Sequence, residues 1–158
     1  MKEIRVRIAH HAVAKGRSKL VTIGLGSCVA IAIHDRAAKV GGLAHILLPD
    51  ASLGRGVENR ARYASSAVPL LLEEMKALGA EGPFCASLVG GAALFGPLLA
   101  FGGSVGARNV DAARAALGKA KIALVAEDVG GQSGRTVLFD VTTGKVKVKS
   151  VRGGEHVL

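Results

Sequence analysis

Lys19-Leu20-Val21-Thr22-Ile23-Gly24-Leu25-Gly26-Ser27-Cys28-Val29-Ala30-Ile31-Ala32-Ile33 is the stretch that decides how this chain folds. Residues 19–25 set Val21, Ile23 and Leu25 against Thr22 and Gly24, the period of two of a β-strand. Gly24 and Gly26 break the run, and residues 29–33 resume as a second β-rich segment that ends at His34-Asp35-Arg36. Residues 40–48 form a third run, interrupted by Gly41-Gly42. Links this short predict three neighbouring antiparallel strands.

Downstream, residues 61–78 place Tyr63, Ala67, Leu71, Met75 and Leu78 three or four apart, which predicts a helix with one apolar stripe and with Arg60, Glu73 and Lys76 in water. Pro69 should kink that helix or mark its proper start, and Gly79 suits its C-terminal cap. A strand over 84–89 follows. Asn109 can cap a short second helix, with Asp111 in its first turn, residues 112–117 as its body and Gly118 closing it. Residues 121–126, 135–141 and 145–151 read as strands, the last two joined by the turn Thr142-Thr143-Gly144. Lys145, Lys147 and Lys149 alternate with valines, which puts the lysines on a solvent face guarding a sheet edge.

Length and composition narrow the function. With 158 residues and no repeat or linker, the whole chain, 1–158, is expected to be one domain. Hydrophobic residues make up 49% and charged residues 21%, which fits a globular chain and argues against disorder. Aromatics are 3% with no Trp, so a stacking platform for single-stranded nucleic acid is nearly excluded. The formal charge of +9 raises polyanion binding, but the cations crowd the two ends while the middle is nearly balanced. That distribution suits a solvated face or an acidic protein partner, and no nucleic-acid partner is expected. Gly130-Gly131-Gln132-Ser133-Gly134-Arg135 could cradle a phosphate, yet it lacks the P-loop order and reads as a tight turn between strands.

The uncharged stretch 82–107 is long enough to span a bilayer, but its glycines and Pro83 and Pro97 break it, so a buried strand followed by glycine-rich loops is expected instead of membrane insertion. The first eleven residues have no apolar core of a secretory signal. Cys28 and Cys85 lie far apart with neither disulfide nor zinc spacing, which points to a reducing cytoplasm. The histidines show no ligand spacing either, and no metal or cofactor is expected.

The chemistry concentrates between Thr22 and His45. Cys28, behind two glycines, is either a small buried residue opening the next strand or a nucleophile set on a sharp turn beside free backbone N–H groups, with Gly26 and Ser27 forming that loop. His45 lies in an apolar run and must either satisfy its nitrogens internally or face a pocket, where burial would keep it a neutral base. A contact between the two would convert thiol into thiolate. Thr22 is either a residue of high strand propensity or a hydroxyl that accepts a hydrogen bond from the imidazole and fixes its tautomer.

Thr22-x-Gly24-Leu25-Gly26-Ser27-Cys28, followed by Gly41-Gly42-x-Ala44-His45-x-x-Leu48-Pro49, resembles the CheD family of chemoreceptor glutamine deamidases. The likeness continues through Arg62-Tyr63-Ala64, Gly90-Gly91-Ala92, Gly106-x-Arg108-Asn109, Glu127-Asp128-x-Gly130-Gly131 and Phe139-Asp140, and departs at Ser65 and Ala107. The resemblance implies an α+β fold, a mixed β-sandwich flanked by helices in α/β/β/α layers and similar to bacterial toxin deamidases. It also implies a protein-glutamine glutaminase whose catalytic triad is Cys28, His45 and Thr22, with Gly26 and Ser27 in the oxyanion and substrate loop. The implied partners are methyl-accepting chemotaxis receptors and, for many members, a CheC-type phosphatase. A protein of another class, a regulatory partner that binds such a phosphatase or receptor without catalysis, fits the same motifs.

Overall fold

The computed structural model describes residues 1–51, 59–93 and 104–158. In chain order the strands are β1 (Lys2–Arg5), β2 (His11–Lys15), β3 (Ser18–Leu25), β4 (Val29–Asp35), β5 (Val40–Ile46), β6 (Phe84–Gly90), β7 (Ala123–Val129), β8 (Arg135–Asp140), β9 (Val146–Ser150) and β10 (Gly154–Val157). Among the described residues, the helices α1 (Ala64–Ala77) and α2 (Val105–Lys119) separate them, and a 3-10 turn at Arg60–Arg62 leads into α1.

The strands form two five-stranded sheets, β1-β3-β8-β9-β10 and β2-β5-β4-β6-β7, each mixing parallel and antiparallel pairs. Period-two alternation explains how they stack. Along β8 Val137 and Phe139 point inward, along β9 Val146 and Val148 do the same, and they meet Ala30, Ala32, Leu43 and Val89 from the inner face of the second sheet. The opposite face of that sheet, through Val29, Ile31, Ile33, Ala44, Ile46 and Leu88, packs on the apolar stripes of α1 and α2. β4 and β5 are buried along their whole length because both faces of their sheet are covered.

The architecture is α+β, as expected, but among the described residues both helices lie on one sheet, so the layers run α/β/β and not α/β/β/α. The outer face of the first sheet carries Lys19, Thr136, Lys147 and Lys149, a surface whose cations stay in water and give a helix little to pack on.

Several sequence expectations change with the topology. β4 and β5 are antiparallel neighbours as predicted, but β3 belongs to the other sheet, because the chain crosses the sandwich at Gly26-Ser27-Cys28. β9 is not an edge: β10 covers it, and Lys147 ion-pairs with Glu155 across the join at 3.1 Å. Residues 130–134 form the expected short link between strands, and they carry the chain from β7 in one sheet to β8 in the other. α2 begins at Val105, four residues before Asn109, and the Ser104 hydroxyl ahead of it accepts from the Ala107 N–H at 3.0 Å and caps the helix.

α1 contains Pro69 on its exposed side; its missing N–H removes the helical partner of the carbonyl of Ser65, which is itself an exposed residue. The helix ends at Gly79 as predicted: the Gly79 N–H donates to the Lys76 carbonyl and the Ala80 N–H to that of Met75. Leu78 falls outside the buried stripe because the helix has already stopped. The uncharged stretch divides into β6 and the start of α2, while most of the glycine-rich loops expected after the strand fall on residues 94–103, outside the described residues. Among the described residues no helix is long and apolar enough to cross a membrane.

Candidate active site

β3 carries Thr22 on the inner face of the first sheet, opposite Val137. Just beyond it a bulge inserts one extra residue against β8, with Gly24 at φ +77°, and the strand turns out of the sheet. The chain then crosses to the second sheet and delivers Cys28 at the mouth of β4. Cys28, Ala30 and Ala32 face inward, and Ala30 is the register partner of His45 on β5. Cys28 and His45 are therefore diagonal neighbours on one inner face.

Thr22 and His45 meet across the sandwich. His45 Nδ1 lies 2.7 Å from Thr22 Oγ1, and both residues are buried. The same hydroxyl donates to the Val6 carbonyl at 2.5 Å, so its proton is committed and it must accept from the imidazole. That fixes the proton of a neutral ring on Nδ1 and leaves Nε2 with its lone pair. Nε2 is buried and has no hydrogen-bond partner among the described residues, Cys28 included. Catalytic contacts of this kind commonly tighten only when substrate is bound.

Burial pushes His45 down to about 4 and pushes the Cys28 thiol up, the latter opposed by its own backbone N–H, which faces the sulfur. Without a contact between them, these shifts favour neutral thiol and neutral imidazole in the resting site. The depressed value has a stability consequence. Between pH 6.5 and about 4 the unfolded chain binds a proton that the folded histidine refuses, so stability falls as pH falls through that window. The loss is on the order of 3 kcal/mol. His45→Gln should flatten this part of the stability curve, as urea denaturation at a series of pH values would show.

The backbone around the site is held on both sides. Ala9 N–H donates to the His45 carbonyl at 2.8 Å and His45 N–H to the His10 carbonyl at 3.1 Å, so the N-terminal segment braces the histidine. The Cys28 carbonyl accepts from Gly91 N–H at 2.8 Å. Gly90, at φ +113°, passes so close that a Cβ there would drive into that carbonyl oxygen. Gly91 and Gly106 likewise meet with no room for a side chain, which lets α2 approach the nucleophile loop. From α2, the fully buried Asn109 donates through Nδ2 to the Ser27 carbonyl at 2.9 Å and the Leu47 carbonyl at 3.0 Å.

The structure brings Cys28, His45 and Thr22 into one neighbourhood, with the Gly26-Ser27 loop beside them; the sequence reading is incomplete around them. It missed Val6, whose carbonyl contribution has no sequence signature, and it misread Asn109 as a cap. A signal for Asn109 was present: with Gly106, Val110, Ala113 and Leu117 it lies on the buried stripe of α2, and a polar residue there needs partners.

The remaining candidates stand apart. Cys85 is a free, partly buried thiol whose acidity is reduced by burial. His34 lies 2.8 Å from the Val141 carbonyl through Nε2, His11 pairs with Glu74 at 2.7 Å, and His156 with Asp128 at 3.0 Å.

Thr22→Val would keep the shape but leave the His45 Nδ1–H and the Val6 carbonyl unpaired. We expect a loss of about 1–3 kcal/mol. Thermal denaturation would measure it.

A sandwich that presents a free cysteine, a neutral histidine with one open nitrogen and a hydroxyl fixing its tautomer has the parts of a cysteine hydrolase. Comparison with known proteins is specific. The family described as CheD chemotactic sensory transduction matches residues 47–150. A probable chemoreceptor glutamine deamidase CheD of Pyrococcus abyssi (strain GE5 / Orsay) is 45% identical over 157 residues, covering 99% of this chain and 96% of its own. Its counterpart of the same name from Pyrococcus horikoshii is 44% identical over 158 residues, covering 99% and 98%, and one from Clostridium botulinum (strain Eklund 17B / Type B) is 40% identical over 151, covering 94% and 93%. The chain belongs to the CheD family. The family match begins at Leu47, after all three site residues, whereas the full-length relatives span them.

Proposed function

We propose that this protein is a chemoreceptor glutamine deamidase, a single catalytic domain that converts selected receptor glutamines to glutamate with release of ammonia. The observation that carries the reading is the Val6–Thr22–His45 relay, which leaves a buried Nε2, unpartnered among the described residues, on the same face as Cys28. Family membership supplies the substrate class, since the relatives are named for that reaction.

In the proposed mechanism the Cys28 thiol gives its proton to His45 Nε2 as the substrate side chain enters, and the sulfur attacks the amide carbon. The Cys28 backbone N–H and a neighbour from the Gly26-Ser27 loop hold the resulting oxyanion. His45 then protonates the departing nitrogen, ammonia leaves and a thioester remains. His45 next takes a proton from water, the hydroxide attacks the thioester carbon and expels the sulfur, which takes that proton back from His45, so that the glutamate side chain is released and the Cys28 thiol is restored. His45 thus serves as base when neutral and as acid once it holds the thiol's proton.

Receptors are the proposed principal partner and the cytoplasm the proposed compartment, in keeping with two free thiols. A CheC-type phosphatase as a further partner rests on the family resemblance. The test is ammonia release from purified chemoreceptor cytoplasmic fragments, with mass spectrometry locating each glutamine-to-glutamate change, for wild type beside Cys28→Ala. Release by wild type alone is expected. Binding without release, in several receptors, would leave a regulatory partner as the better reading.

A further inference from the structure

Asn109 is the polar member of the buried stripe of α2, and the groups it holds matter more than its place in the helix. Its Nδ2 donates to the Ser27 carbonyl, which belongs to the same peptide plane as the Cys28 N–H. Because that unit is planar, a bond that fixes the carbonyl fixes the direction of the N–H as well. The following peptide plane is held by the Gly91 N–H on the Cys28 carbonyl. Both planes flanking Cys28 are therefore set by groups outside its own loop. The second Nδ2 bond, to the Leu47 carbonyl two residues past His45, ties the same amide to the strand that carries the base.

Two further points favour a directed role over packing. Asn109 is fully buried, yet its Oδ1 has no partner among the described residues, a cost that a leucine of similar size would avoid. A donor on the Ser27 carbonyl also polarises that peptide and makes the Cys28 N–H a stronger donor. We propose that Asn109 is a positioning residue that aims the Cys28 backbone N–H at the oxyanion formed during deamidation. The proposal rests on Cys28 being the nucleophile.

The test compares Asn109→Ala with wild type on a purified receptor cytoplasmic fragment, and follows iodoacetamide alkylation of Cys28 by mass spectrometry. Alkylation needs the thiolate but forms no oxyanion. The expected result is a fall in kcat of about 10- to 100-fold, somewhat less than the loss of a whole oxyanion donor, with KM and alkylation rate within about threefold of wild type. Binding of a glutamine-derived peptide aldehyde, whose hemithioacetal oxygen mimics the oxyanion, should weaken in step with kcat. Asn109→Ser, which leaves room for a bridging water, serves if alanine prevents folding. An unchanged kcat in a folded variant overturns the proposal, and so does an equal loss in alkylation rate, or failure of both variants to fold, since either makes Asn109 a structural tie. Full release by Cys28→Ala would remove the nucleophile and this proposal with it. An inactive Cys28→Ala beside a fully active Asn109→Ala removes this proposal alone.

Discussion

Cys28→Ser is expected to lose turnover by on the order of 10⁴-fold or more, no better than Cys28→Ala. The reason lies in the weakness of the base. His45 is pushed down to about 4, so it can take a proton only from a group that gives one up readily. Burial raises the Cys28 thiol, but a thiol remains far more acidic than a hydroxyl, and its sulfur is intrinsically the better nucleophile. A serine at this position would meet a base too weak to activate it, and the adjacent Ser27 faces the same limit. Either small side chain fits the inner face beside Ala30, so thermal denaturation should show both variants folded. Single-turnover ammonia release measures the loss, and a serine variant within tenfold of wild type would be incompatible with Cys28 as the nucleophile.

His45→Gln is expected to lower kcat by about 10² to 10⁴-fold, the usual contribution of a positioned general acid–base. The same substitution should improve acid stability, because glutamine has no proton affinity for the unfolded chain to exploit. Activity and stability therefore move in opposite directions at one residue, as they do where a site is held in a state the fold does not favour. In wild type the imidazole stays neutral far below pH 6.5, so the acid limb of kcat/KM should lie near about 4, as far down as the protein remains folded. A limb near 6.5 would show that His45 titrates as an exposed histidine does.

Much of the fold was legible where neighbouring side chains differ in kind. The alternation at Val21, Thr22 and Ile23 marked β3, the stripe through Ala67, Leu71 and Met75 marked α1, and Gly79 and Gly144 marked their turns. β1 and β10 escaped notice because Lys2-Glu3-Ile4-Arg5 and Gly154-Glu155-His156-Val157 lie at or near sheet edges and bury almost nothing, so no hydrophobic period is written into them. The lysine-bearing strand β9 looked like an edge because exposure of one face reads the same whether or not a further strand lies beside it.

The sequence by itself determined the chemistry this protein has to work with: a cysteine behind a glycine turn, a histidine in an apolar strand, a threonine upstream, and the strands and helices that carry them. Tertiary structure alone decided that β3 belongs to the opposite sheet, so that Thr22 reaches His45 across the sandwich instead of along it. It also decided that Asn109 spends its amide on two strand carbonyls while Ser104 caps the helix. The physical reason is common to both. Local periodicity records which face of an element is buried, whereas a hydrogen bond between groups far apart in the chain depends on which element is packed against that face.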